Sequence, residues 1–249
     1  MAKTLYDYWF VQFDFPDKNG KPYKSSGGKM VFNEELKREI PEGWEVKSLA
    51  EISKIKAGGD KPKIISKVET EDCKIPIYSN GVTNDGLYGY TNLAKIEMPS
   101  ITVSARGTIG FSALRKNPFV PIIRLISITP NSFFMIKFLH ERVKLLEFEN
   151  SGSVQKQLTV PQVSRFKIVV PSDDLLKKYH TITNPQIEII DKNKKQNQKL
   201  SELRDWLLPM LMNGQVSVGG ASLRGTKQSY EKNAENKLGL VAEDNTKYE

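Results

Sequence analysis

The stretch "VSARGTIGFSALRKNPFVPIIRL", Val103 to Leu125, decides the fold. It reads as strand, glycine turn, strand, basic loop and strand. The segments "ITVSAR" and "IGFSAL" flank Gly107-Thr108, a pair that predicts a two-residue hairpin turn. The run "PIIRLISITP", 121–130, predicts one buried or half-buried strand with Arg124 inside it. Arg106, Arg115, Lys116 and Arg124 therefore sit among glycine turns in an otherwise apolar β pattern.

The same rhythm extends outward from Trp44 to Pro171. "IPIYS", 75–79, is a strand, and "NGVTNDGLYGY" follows it with Asn80-Gly81 and Asp85-Gly86, pairs that favour tight turns with positive φ. "FFMIKFLHERVKLLEFE", 133–149, changes to helical spacing, with Phe134, Ile136, Leu139, Val143 and Leu146 near one face. "NSGSVQKQLT" is a polar loop and "FKIVVP", 166–171, a last strand. Upstream, the aromatic-rich residues 1–15 need a partner surface, 16–30 reads as an exposed connector, and Asn33–Ile40 predicts a short helix with Asn33 as N-cap. Downstream, "SDDLLKKYHTIT" opens with a capping signal, and Asn184-Pro185 predicts the start of a second helical run that ends at Asn213-Gly214. Ile182, Gln186, Ile189, Asn193, Gln196, Leu200, Leu203, Leu207 and Met210 follow alternating steps of four and three. This is a heptad seam, apolar at both ends and polar in the middle, and such a helix needs another to pack on. Residues 215–249 read as a polar tail.

The charge follows this division. The whole chain carries +8, and residues 44–171 hold 18 basic against 11 acidic groups, an excess of seven, while the flanks nearly balance. A cationic middle segment favours a polyanionic partner. The lone cysteine, Cys73, excludes an internal disulfide framework and fits a reducing cytoplasm. No apolar run has the length of a signal sequence or a membrane span, so no membrane partner is expected.

Catalytic signatures are weak. There is no G-x-x-x-x-G-K-[ST] loop, and "KAGGDKPK", 56–63, lacks the spacing of a nucleotide fingerprint. His140 and His180 are the only histidines; with one cysteine they make an ordinary zinc site a poor expectation, and His180 reads as a surface residue of its helix. "TNPQI", 183–187, has the start of an amino-methyltransferase motif but neither its second proline nor its aromatic. "EDCK" contains Asp-x-Lys, half of a metal-dependent nuclease motif, so a stand-alone Mg²⁺-dependent nuclease using Glu71, Asp72 and Lys74 is the alternative reading.

Three longer motifs carry a resemblance. "LYDYWFVQFDFPDKNGKPYKSSGGKMVFNEELKREIPEGWEVKSL", 5–49, resembles the joint between the two halves of the DNA specificity subunit of type I restriction–modification enzymes. "GSVQKQLTVPQVSRFKIVVP", 152–171, resembles the end of a target recognition domain in that family, and "NQKLSELRDWLLPMLMNGQV", 197–216, its C-terminal helix. "VSARGTIG", 103–110, resembles a glycine turn within those domains. The sequence departs from the family at "GGDKPK", where many members carry Gly-Gly-Thr-Pro.

The resemblance implies a mixed α/β fold: one globular, strand-rich DNA target recognition domain followed by a long coiled-coil-type helix. The expected boundaries are 1–43 for the aromatic segment and connector, 44–171 for the recognition domain, 172–214 for the partner-binding helical region and 215–249 for a flexible tail. It further implies a non-catalytic half-subunit that pairs as a homodimer, reads a split palindromic site in double-stranded DNA, and recruits the modification (methyltransferase) and restriction (translocase-nuclease) subunits. S-adenosylmethionine, ATP and Mg²⁺ would be bound by those partners and no cofactor by this chain.

On that footing, phosphate contacts fall to Lys61, Lys63, Arg106, Arg115 and Lys116, with Arg124. Base reading falls to Tyr78, Asn80, Asn84, Tyr88 and Tyr90 in one loop and to Gln155, Lys156 and Gln157, with Ser153, in another. Leu200, Leu203, Leu207 and Met210 would pack on a partner helix. Trp206, off the seam, would anchor the modification subunit or pack on the chain's own Tyr6, Trp9 and Phe10.

Overall fold

The computed structural model of the chain describes residues 2–146 and 157–215. It divides into two units, Met1–Ile187 and Glu188–Glu249. The first unit opens with α1, Ala2–Tyr6, which runs into a π-helical turn over Asp7–Val11. Strands β1, Met30–Asn33, and β2, Arg38–Pro41, form a small antiparallel hairpin. The helix expected over Asn33–Ile40 is thus replaced. The Asn33 side chain accepts a hydrogen bond from the Leu36 amide at 3.0 Å, so its capping capacity holds the hairpin turn instead.

Then follow β3, Glu45–Ser48; α2, Leu49–Ile52; β4, Ser53–Ala57; β5, Ile75–Tyr78; β6, Leu87–Thr91; β7, Ser100–Val103; β8, Ser112–Arg115; β9, Val120–Pro121; and β10, Ile126–Pro130. The unit continues with α3, Ile136–Lys144; α4, Val160–Ser164; and β11, Lys167–Val170. A four-stranded antiparallel sheet has the order β4-β10-β7-β8, and a three-stranded sheet the order β6-β5-β9 with β9 parallel to β5. β11 returns to pair with β3, which closes the strand-rich region on itself.

Two details of these sheets differ from the sequence expectation. β7 pairs with β8 from Ser100↔Arg115 to Val103↔Ser112, so the connection is the wide loop Ser104–Phe111, not a two-residue turn at Gly107-Thr108. The Gly110 amide donates to the Ser104 carbonyl, and Ser104 in turn donates to Phe111, which closes that loop by backbone bonds. The expected strand 121–130 is broken between β9 and β10 by a turn at Ile122–Leu125. β9 belongs to one sheet and β10 to the other, so the chain must bend where it changes sheets.

The last element, α5, runs without interruption over Asp173–Met212. Pro185 is therefore inside a helix rather than at its start. It removes one backbone donor, an interior defect that ordinarily costs about 3 kcal/mol. The burial of Leu176, Tyr179, His180, Thr183 and Ile187 along one face offsets it, because that face packs into the first unit on both sides of the proline. Thr183 Oγ1 also donates to the Tyr179 carbonyl at 2.8 Å.

The main core joins β7, β10 and α3 with the N-terminal aromatics and the start of α5. Phe10 meets Phe138 edge-on at 4.9 Å and Tyr179 at 5.0 Å, and Trp9 lies 6.0 Å from Tyr179. The partner surface that the aromatic segment requires is thus Tyr179 and Phe138. His180 is buried against Phe133 and Phe134, not on the helix surface, because the helix turns that side toward the apolar start of α3. His140 is buried too; its burial, with Lys144 and Lys137 nearby, pushes the imidazole down to about 3. No helix among the described residues is long and apolar enough to cross a membrane.

Candidate nucleic-acid interface

The loops around β5, β7 and β9 are tied into one cluster by hydrogen bonds that cross the sequence. Asn80 is the central tie. Its side-chain oxygen accepts from the Ala105 amide at 2.8 Å, and its Nδ2 donates to the Ile123 carbonyl at 2.7 Å. Both functions of the amide are used inside the protein, so Asn80 holds three segments together. Leu158 donates to the Ala105 carbonyl, and Arg106 grips the Gln157 side-chain oxygen through Nε at 3.1 Å and Nη2 at 2.7 Å. Arg106 stays exposed while making this contact.

Arg115 is placed differently from the other cations. It is only 7% exposed, with its guanidinium 3.6 Å from the Tyr78 ring centroid. Its Nε donates to Thr102 Oγ1 at 3.1 Å, and its Nη2 donates to the Asp85 carbonyl. Burial pushes the guanidinium down from its ordinary value, and the same burial raises the Tyr78 phenol, against the pull of Arg115. A charge enclosed in this way supports the loop above it: Asn84, Asp85 and Gly86 all have positive φ, and Arg115 fixes the middle one. Gly86 is required there, since a Cβ would collide with the Ser79 carbonyl.

A second group lies on the neighbouring sheet. Lys61 Nζ donates to the Tyr88 hydroxyl at 2.6 Å, which lowers that phenol from its ordinary value, and Lys67 lies 4.7 Å from the same ring centroid. Tyr90 is buried on β6, so only its neighbour Tyr88 offers surface. Lys63 and Asn84 are exposed. Lys116 belongs elsewhere: its charge acts on His180, whose imidazole is pushed down chiefly by burial. Gln155 and Lys156 lie outside the described residues, as do Ser153 and the tail beyond Gln215.

The sequence reading missed the turn at Ile122–Leu125 and the role of Gly58. A Cβ on Gly58 would stand 2.7 Å from the Pro121 carbonyl carbon, so only glycine lets β4 end this close to β9. The Gly-Gly pair was the available signal. For the turn there was none, since its four residues include no Gly, Asn, Asp or Pro.

Glu71, Asp72 and Lys74 are all exposed, around the buried Cys73. No group of three His, Cys, Asp or Glu among the described residues could hold a metal ion. The nuclease alternative thus finds no support in the geometry.

Within the second unit, Ile189, Ile190, Leu200 and Leu208 are exposed, Leu200 at 55%. Leu203, Trp206, Leu207 and Met210 are partly exposed. Leu200, Leu203, Leu207 and Met210, spaced by three and four residues, form a stripe along the helix suited to another helix.

Known proteins resemble this chain over much of its length. The family model described as the type I restriction modification DNA specificity domain matches residues 41–202. A Mycoplasma pneumoniae protein named as a type I specificity subunit, S.MpnORF89P, is 38% identical over 138 residues, 55% of this chain and 41% of its own length. The MjaIX specificity subunit of Methanocaldococcus jannaschii is 26% identical over 238 residues, 88% of this chain and 52% of its own. The crystal structure of a type I restriction-modification S subunit from M. genitalium shares the fold, with a TM-score of 0.51 at 21% identity over 66% of this chain and 44% of that one. The chain spans about half the length of these relatives.

Proposed function

Because the chain belongs to the type I restriction–modification DNA specificity family, we propose that it is a DNA-recognition subunit without catalysis of its own. The observation that carries this reading is the family match, which runs unbroken from the strand-rich unit into α5. The loop cluster faces duplex DNA. Arg106, Arg124, Lys61 and Lys63 supply cations for phosphates and grooves, and Asn84 and Tyr88 supply polar edges for bases. Asn80 and Arg115 act as positioning residues, because both are consumed by internal bonds. Gln155, Lys156 and Gln157 complete the base-reading set, with Arg106 steadying Gln157.

The apolar stripe from Leu200 to Met210 pairs with a second copy of this chain and offers Trp206 to a modification subunit. Two copies would present two identical loop faces, so the site read is an interrupted palindrome. A restriction subunit joins the same assembly, in the cytoplasm. The methyl donor S-adenosylmethionine, ATP and Mg²⁺ serve the partner subunits.

The test is the methylation pattern of host DNA with and without the gene. One split motif should lose its methylation on deletion and regain it with the wild-type gene. Restoration by a Leu203→Glu variant would remove the pairing role of the stripe. Cleavage of DNA by the purified chain with Mg²⁺ alone would restore the nuclease alternative.

A further inference from the structure

The turn Ile122–Leu125 is built in a conformation that its own residues disfavour. Ile123 has φ 52° and Arg124 φ 60°, and the Leu125 amide donates to the Ile122 carbonyl at 3.0 Å. This is a type I′ turn, whose two central positions normally take Asn, Asp or Gly. A β-branched residue there is an outlier, and strained backbone persists only where its surroundings over-determine it.

The surroundings do so. The Ile123 amide donates to the Gly59 carbonyl at 3.0 Å, and the Arg124 amide to the Gly58 carbonyl at 3.1 Å. Gly58 donates back to the Leu125 carbonyl at 2.8 Å, and Asn80 Nδ2 holds the Ile123 carbonyl. Both tip amides and the Ile123 carbonyl are thus held, while both side chains reach the surface. Ile123 is 43% exposed, and the Arg124 guanidinium has no hydrogen-bond or ion-pair partner among the described residues. An isolated exposed isoleucine would mean little. An isoleucine and an arginine at the surface, held in a conformation better served by Asn-Gly, are not accounted for by the turn itself.

We infer that the Ile123–Arg124 tip is a rigid probe that enters a groove of duplex DNA and reads base identity there. Arg124 presents a planar donor fork to a guanine edge, and Ile123 lays its branched side chain against neighbouring base carbons or a thymine methyl group. The segment carrying the tip, 44–171, has an excess of seven positive charges, which suits a polyanion. The inference rests on the DNA-recognition reading above.

The test uses the full chain and labelled duplexes. A random-sequence duplex pool is enriched by rounds of binding, and anisotropy gives the affinity for the enriched duplex and for the starting pool. The variant I123N/R124G suits the turn better, so its melting temperature rises by about 2–4 °C. Its affinity for the enriched duplex falls at least about tenfold, and for the pool less than about threefold. R124K keeps the charge without the fork; its pool affinity stays, and its enriched sequence changes in at least one position. Should I123N/R124G fail to fold, R124K alone decides. Unchanged preference for the enriched duplex in both variants would overturn the inference. So would an equal loss on both duplexes, which would make Arg124 a phosphate contact only. If the wild-type chain binds no duplex and enriches nothing, the DNA reading itself fails and takes the inference with it. That result is distinct from a wild-type chain that binds DNA through other residues.

Discussion

The aromatic collar around Tyr179 and the loop cluster around Asn80 solve opposite problems within one unit. In the collar, Tyr6, Trp9 and Phe10 surround Tyr179 with ring centroids 5.0 to 6.4 Å away, Phe138 packs on Phe10 at 4.9 Å, and almost nothing is left exposed. Trp9 and Phe10 sit in the π-helical turn Asp7–Val11, and the collar's stability comes from buried apolar area. In the loop cluster, positive φ accumulates at Asn84, Asp85, Gly86, Gly107, Ile123 and Arg124, and polar ties replace apolar packing. The contrast teaches where each kind of work is done. The collar holds the fold; the loops spend stability to fix exposed side chains in set directions.

Changes in the two regions should therefore separate stability from recognition. The largest stability effect belongs to the collar: Tyr179→Ala should cost about 3–5 kcal/mol in denaturant unfolding, by cavity formation among the aromatics. A loss below about 1 kcal/mol would mean that the collar is not the keystone. Next comes acid. His140 falls to about 3 in the folded state from an ordinary 6.5, so between those values the unfolded chain binds more protons and stability falls as pH drops. Going from pH 7 to pH 5 should remove about 2 kcal/mol, and His140→Gln should flatten that slope. Glu141, beside His140, opposes the lysines and limits the effect. A flat profile in the wild type would contradict the burial.

Asn80→Ala should have the reverse character. It should cost only about 1–2 kcal/mol of stability, since two hydrogen bonds at a partly exposed site are lost. Its effect on duplex affinity should exceed its effect on unfolding, because it releases the Ile123 turn and the Ala105 loop together. Equal effects on both would blur the distinction between the two regions. The smallest stability change is expected from Leu203→Glu, within about 0.5 kcal/mol, while the mass in solution falls to that of one chain. Retained pairing would show that the stripe serves something else.

How much of this was legible beforehand depends on the kind of residue. Strands β5 and β11 followed from apolar runs bounded by turn residues, while the mixed α/β class was implied by the family resemblance. The Asn-Asp-Gly turn at 84–86 followed from residue types that tolerate positive φ. The turn at 122–125 was invisible, because Ile and Arg are the wrong residues for it and only tertiary clamps impose it. Asn33 looked like a helix cap since the same side-chain geometry caps hairpin turns. Pro185 looked like a helix start since the burial that carries α5 through it comes from Tyr179 and Ile187 packing on distant residues. In the site, charge located the cationic region but not the fate of each cation. Arg115 and Arg106 are alike in sequence, yet one lies on Tyr78 inside the fold and the other stays at the surface.

The most direct measurement is backbone hydrogen exchange of the whole chain with and without an enriched duplex. Protection should rise in 58–63, 80–88, 104–111 and 122–125, and remain unchanged around β1 and β2. Protection confined to the β1–β2 hairpin or to 188–212, with the loops still exchanging freely, would contradict DNA reading by the loop face.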